Sequence, residues 1–329
     1  MDLREMVGVK LAVGFDGAAA TPALVKALRE LRARSLVAFS RNFASPEQFA
    51  TLVRDLEGAL GWRPLVMVDH EGGRVIRFRT GLTQFPDALT VGRAQSPEQV
   101  EAQGATEAKE LKAIGVAANL APCVDVLAAG SDPIIGDRSY GEDPQRVSAL
   151  GQARIKGLQS HGVAACAKHF PGLGAVPKDP HKELPTIDLR WQALEEIHLP
   201  PFKAAIEAGV AMVMSSHVCY PGLGEPPGHP ATYSKPLIHG LLRERLKFTG
   251  LILSDDLEMG ALRSLGTMGQ AAVEATRAGH DLLLVCSRLD LAREAQTALL
   301  EAYETNALLA SDLNVTCERF YSVSEKYNS

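Results

Sequence analysis

The chain has no apolar run long enough to span a bilayer. Its first residues, Met-Asp-Leu-Arg-Glu-Met, put acids where a secretory leader needs basic groups. Both absences point to a cytoplasmic protein with no membrane partner. Cysteine is scarce and odd in number: five residues cannot all pair within one chain, and Cys123, Cys166, Cys219 and Cys286 fall inside or at the ends of apolar runs. They read as reduced core residues. No Cys-x-x-Cys occurs, and His169 and His181 are too far apart to share one helical face, so no metal and no cofactor is expected. A Gly-x-Ser-x-Gly nucleophile elbow is missing, and Gly14-Phe-Asp-Gly17 lacks the spacing of a phosphate-binding loop. There is also no excess of positive charge. With 34 basic against 39 acidic residues the net charge is -5, which argues against nucleic acid as a partner.

What is present is the composition of a large-cored globular chain, 46% hydrophobic and 22% charged over 329 residues. Short apolar runs recur at Val9–Gly14, Ser35–Phe39, Pro64–Val68, Val116–Leu120, Val163–Ala167, Val210–Met214, Leu251–Leu253 and Asp281–Val285. Amphipathic stretches separate them: Pro22–Arg34, Pro46–Leu60, Pro97–Gly115, Pro144–His161, Ala193–Gly209, Lys235–Lys247 and Met268–Gly279. Nearly unbroken apolar strands alternating with helices predict an α/β protein with a parallel sheet wrapped by helices. Eight such units close a barrel, so the expected fold is a single-domain (β/α)₈ TIM barrel over residues 1–329, with a C-terminal helical tail at about 288–329. A doubly wound open sheet is the alternative. A monomer is expected.

In such a barrel the reactive groups gather at the carboxyl ends of the strands. Those ends are polar here. The third run leads into Asp69-His-Glu-Gly-Gly-Arg-Val-Ile-Arg77, the fourth through Asp125 to Gly136-Asp-Arg-Ser-Tyr140, and the fifth into Lys168-His169. The sixth reaches Ser215-Ser-His217 and the seventh Ser254-Asp-Asp-Leu257. A mouth carrying Asp69, Arg77, Arg138, Lys168, His169 and His217 suits a sugar, whose hydroxyls call for many fixed donors and acceptors. Gly72-Gly73 would let the backbone turn tightly. From Lys168 to His181, prolines and glycines break any regular structure, so a loop is expected there, carrying Asp179-Pro180-His181. A carboxylate bonded to one nitrogen of an imidazole leaves the other free to give or take a proton. Asp255, at the end of the seventh run, could act as a nucleophile; Asp256 competes with it, since neighbouring strand residues face opposite sides.

Asp69-His-Glu-Gly-Gly-Arg-Val, Gly136-Asp-Arg-Ser-Tyr-Gly-Glu-Asp-Pro144, Lys168-His-Phe-Pro-Gly, Asp179-x-His181 and Ser254-Asp-Asp-Leu-Glu-Met259 together resemble the single-domain β-N-acetylglucosaminidases of glycoside hydrolase family three. The resemblance runs from about Val9 to Val285. It implies a retaining enzyme that removes terminal β-linked N-acetylglucosamine, in bacteria typically from muropeptide fragments in the cytoplasm during cell-wall recycling. By the same resemblance Asp255 is the nucleophile, His181 the acid/base and Asp179 its partner, while Asp69, Arg77, Arg138, Lys168 and His169 bind the sugar. The chain departs from the family pattern at Leu173, where histidine is usual, at Pro180, where serine is usual, and in a longer loop at Gly222–Gly228. Pro180 restricts itself and Asp179, so fewer loop conformations are expected. Other readings are a phosphorylase or β-glucosidase of the same family, a Schiff-base lyase acting through Lys168, and a non-catalytic sugar-binding protein.

Overall fold

Each of the eight apolar runs coincides with a parallel strand, and the strands close into a barrel. In the computed structural model, which describes residues 1–128, 134–175 and 184–328, the strands are Leu11–Gly14, Ser35–Ala38, Leu65–Val68, Ala118–Asn119, Ala164–Phe170, Met212–Ser215, Leu251–Asp256 and Leu282–Val285. Closure comes from the first strand pairing with the last, Leu11 beside Leu283 and Val13 beside Val285. A two-stranded antiparallel hairpin, His70–Gly72 with Val75–Ile76, stands beyond the third strand.

Because strand side chains alternate, each strand serves two cores. Leu65, Met67, Cys166, Met212, Met214, Leu251, Leu253, Leu282 and Leu284 pack inside the barrel. Val66, Val68, Ala165, Ala167, Val213, Ile252 and Leu283 pack outward against the helices. This phase positions the site, since whatever follows an inward residue by two positions also faces the axis.

The helices start where the sequence provides a cap. Thr21, Ser45, Ser96 and Asp143 each accept a backbone N–H with a side-chain oxygen, and a proline occupies the first turn after each, where its missing N–H costs nothing. Pro46–Leu60 forms as expected, and the helix after Thr21 stops at Leu31, where Arg32 turns left-handed at φ 54°. Two strands run further than expected. Lys168-His169-Phe170 and Ser254-Asp255-Asp256 belong to strands five and seven, because Lys168 and His169 find carboxylate partners, and Ser254 and Asp256 accept from amides at the eighth strand, so none need end the ladder.

The C-terminal segment is not an appendage. Leu289–Glu304 is the outer helix of the eighth unit, and Ala310–Tyr327 lies under the barrel, with Cys317, Phe320, Val323 and Tyr327 joining the inner core and plugging its amino-terminal end.

Candidate active site

The carboxyl ends of the strands open into a cavity of about 300 Å³. Val37, Asp69, Leu120, Lys168, Met214, Asp255, Leu284 and Cys286 line it, each in the inward phase of its strand. Asp69 follows inward Leu65 and Met67, Lys168 follows Ala164 and Cys166, and Asp255 follows Leu251 and Leu253.

Lys168 is at the centre. Its side chain is 2% exposed, and its ammonium sits 2.7 Å from Asp69 Oδ1 and 2.6 Å from Glu71 Oε1. Burial lowers its pKa, but the two carboxylates outweigh this and raise it above the ordinary lysine range. An amine kept protonated between two carboxylates is a poor nucleophile, which counts against the Schiff-base reading. Burial likewise raises the Asp69 pKa, and Lys168 and Arg77 reverse it, so Asp69 stays ionised. Arg77 donates to Asp69 Oδ2 at 3.2 Å and lies over the Phe39 ring, 5.4 Å from its centroid.

Glu71, given no role by the sequence reading, is a principal member of this network. The hairpin folds it back over the mouth by means of Gly72 and Gly73, whose φ values of 115° and 55° favour glycine; a Cβ on Gly72 would come within 2.5 Å of the Pro86 carbonyl. Arg138 clasps Glu71 with two parallel bonds, Nε to Oε2 at 2.9 Å and Nη2 to Oε1 at 2.8 Å. Burial opposes ionisation of Glu71, but Arg138 and Lys168 overcome it and hold its carboxyl far below the usual range.

Asp125 is the second residue without a sequence-assigned role. It accepts from His169 Nδ1 at 2.7 Å, from the Leu173 amide at 2.6 Å and from the His169 amide at 3.2 Å. Arg138 donates to the opposite ring nitrogen of His169 at 3.3 Å, so the imidazole is gripped at both ends. Cys123, Asp125 and His169 bring donor atoms within 4.8 Å of one another, a grouping invisible in linear spacing. The Asp125 oxygens are engaged by these N–H donors, and burial drives the Cys123 thiol well above its usual pKa, so the cluster orients His169 and is poorly suited to a cation.

Strand phase separates Asp255 from Asp256. Burial raises the pKa of Asp255, yet the His169 and His217 rings, the Asp256 amide and Lys168 together bring it below the normal aspartate value. Asp256 is pushed by burial up to about 7 and spends its Oδ1 on the amides of Glu258, at 3.1 Å, and Cys286, at 3.2 Å. Asp255 lines the cavity on the inward phase of its strand, and Asp256 ties the seventh strand to the eighth.

His217 does not line the cavity. Its ring meets Thr232 Oγ1 at 2.6 Å and the Asp256 carbonyl at 3.0 Å, beside the end of the Asp255 strand. Asp179, Pro180 and His181 lie outside the described residues. On one side of them, Leu173 is fastened to Asp125, the Gly172 carbonyl accepts from Tyr220 at 2.9 Å, and the Gly174 carbonyl accepts from Ala128 at 3.0 Å. On the other, the Cys219 amide donates to Pro185 at 3.0 Å and that of Ile187 to Cys219 at 2.9 Å.

A closed parallel barrel with an ionised carboxylate on one strand end, facing a cradle of paired charges, has the layout of a barrel enzyme, whose site lies at the carboxyl ends of the strands. The chain belongs to glycosyl hydrolase family 3: the model of that family's N-terminal domain matches residues 4–323. It is therefore a glycoside hydrolase. A curated relative, the β-hexosaminidase of Thiobacillus denitrificans, is 38% identical over 270 residues, spanning 80% of this chain and 74% of the relative. Among solved structures, a family 3 β-N-acetylglucosaminidase from a Paenibacillus species superposes with a TM-score of 0.96 at 35% identity, covering 99% of this chain and 63% of that longer one. NagZ from Neisseria gonorrhoeae in complex with N-trifluoroacetyl-D-glucosamine superposes at 0.79 with 30% identity, over 95% of this chain and 98% of that one.

Proposed function

We propose that this protein is a retaining exo-β-N-acetylhexosaminidase that releases terminal N-acetylglucosamine. The observation that carries the reading is Asp255, an ionised carboxylate fixed to a barrel strand opposite a cradle whose charges are already paired with one another. A neutral sugar suits such a cradle, because its hydroxyls can bond to ionised groups without bringing charge of their own. The names borne by the relatives support the same substrate.

In the proposed reaction Asp255 attacks the anomeric carbon as the bond to the leaving oxygen breaks, and His181 gives that oxygen its proton. Water then attacks the glycosyl ester from the face the aglycone left, passing a proton to the now neutral His181 and freeing Asp255. Two inversions give net retention. Asp179 is assigned to orient His181 and favour its protonated form in the first step. An imidazole with an ordinary pKa of about 6.5 can be acid and base in turn near neutrality. As a neutral base it would also repel an anionic acceptor less than a carboxylate does, which makes phosphorolysis the second reading. Muropeptide fragments are the proposed natural substrates, with the protein acting as a cytoplasmic monomer. Among the described residues no helix is long and apolar enough to cross a membrane.

The test is to trap the glycosyl-enzyme with a slow fluorinated N-acetylglucosaminide and locate the label by mass spectrometry. A label on Asp255 is expected; one on Asp256, or none, would overturn the assignment. Nitrophenyl glucoside turned over faster than its N-acetylglucosaminide counterpart would favour the β-glucosidase, and sugar 1-phosphate formed in phosphate buffer the phosphorylase.

A further inference from the structure

A larger cavity, about 650 Å³, opens at the opposite end of the barrel, between the strand amino termini and the helix Ala310–Tyr327. Its charges are lopsided: five fixed cations, Lys10, Lys235, Arg243, Arg277 and Arg319, face two carboxylates, Asp281 and Asp312. In a chain with a net charge of -5 this is a local reversal of sign. Arg277 pairs outside the cavity with Glu274 at 2.5 Å, which leaves four cations to the two acids.

Asp281 is already overcommitted. It pairs with Arg243, accepts from Arg319 at 3.1 Å and Thr316 at 3.3 Å, and takes the Ile252 amide at 2.8 Å. Lys10, 1% exposed, has only the His280 carbonyl at 2.7 Å as its hydrogen-bond acceptor among the described residues. The Arg243 side chain is 7% exposed, and its Nε is buried with no partner among the described residues. Burial lowers the Lys10 pKa to about 8 and that of Arg243 to about 10, with Asp281 only partly offsetting each and Arg319 working against both. Buried cations short of counter-charge, around a space of ligand size, are what an anion would complete.

The other wall is apolar. Leu308, Leu309 and Val315, on and just before the last helix, line it, with Leu309 60% and Val315 39% exposed.

We propose that the amino-terminal end of the barrel is a second small-molecule site, which takes an organic anion: a phosphate monoester or carboxylate joined to an apolar body. The anionic end would meet Lys10, Arg243 and Arg319, and the body would cover Leu309 and Val315, with Lys235 at the rim.

Calorimetric titration of the whole protein with phenyl phosphate tests this. Saturable binding with a dissociation constant below about 1 mM is expected. Inorganic phosphate should bind at least ~10-fold more weakly, for want of the apolar contact. Lys235→Ala combined with Leu309→Asp changes only exposed side chains, so folding is spared; it should weaken binding at least ~10-fold, and Arg319→Gln should do the same. Saturating N-acetylglucosamine should leave the affinity unchanged. No saturable heat up to about 5 mM, affinity unaltered in both variants, or displacement by N-acetylglucosamine would each overturn the proposal.

Discussion

The two ends of this barrel handle buried charge in opposite ways. At the carboxyl mouth, Lys168 lies between Asp69 and Glu71, Arg138 is chelated by Glu71, and His169 is held by Asp125. At the amino end, one carboxylate, Asp281, serves two guanidinium groups while Lys10 bonds to a carbonyl. Among the described residues, Lys168, Arg138 and Arg77 in the first arrangement each meet a carboxylate, although Arg77 Nε is buried without a partner, and the group presents fixed dipoles to a neutral, hydroxyl-rich molecule; the second has fewer carboxylates than cations. The lesson is that the number of ionised groups in a cavity says little about its ligand until each has been matched to its partner.

The strongest challenge to this comparison is removal of Asp255. Asp255→Ala should lower kcat by about 10⁴-fold or more while the thermal midpoint stays near wild type. Asp256→Asn should cost far less activity, and equal losses would erase the distinction drawn between them. Next in size is a matched pair of lysine truncations read by urea denaturation. Lys168→Met removes the cation shared by two carboxylates, leaving Asp69 to Arg77 and Glu71 to Arg138, and should cost up to about 3–5 kcal/mol. Lys10→Met gives up one hydrogen bond from a cation already penalised by burial, and should cost no more than about 1–2 kcal/mol. Similar values for the two would mean the ends do not differ as described.

Asp125→Asn should lower kcat/KM by about 10–100-fold by loosening His169. Arg319→Gln should leave kcat/KM within about 2-fold of wild type, because its partners lie at the far end.

The last contrast is in pH dependence, with opposite signs at the two ends. His280 lines the amino-end cavity, and burial depresses its pKa to about 3 against an unfolded value of about 6.5. Its contribution is fully present above about pH 6.5 and is lost as pH falls toward 3, so His280→Gln should flatten the acid side of the stability curve. Asp256 at the mouth is raised by burial to about 7 against about 3.9 unfolded. Its contribution is present below about pH 3.9 and is lost as pH rises through 7, so Asp256→Asn should flatten the neutral side. Denaturant midpoints from pH 4 to 8 check both.

Much of the mouth could be read in one dimension, because strand ends are marked by an apolar run breaking into charge. Asp69, Arg77, Arg138, Lys168, His169 and Asp255 all reach the cavity region or its immediate contacts. His217, placed there by the same rule, sits beside Asp255 and Asp256, with its ring on Thr232 and the Asp256 carbonyl. Glu71 and Asp125 went unassigned. Glu71 gains its role from a hairpin reversal that only Gly72 and Gly73 in their observed conformations produce, and Asp125 from meeting a ring 44 residues away.

By itself, the order of apolar runs, caps and breakers determined the eight-unit barrel and the end of it that would carry chemistry, because these depend on local periodicity and on a topology with few alternatives. Only the folded chain decided which acid of the Asp255–Asp256 pair stays ionised, which lysine is neutralised, and that the last helix closes the barrel floor over an unbalanced cluster of cations. Those outcomes depend on distances between residues remote in sequence and on how much water burial removes, and neither is written into any local stretch of the chain.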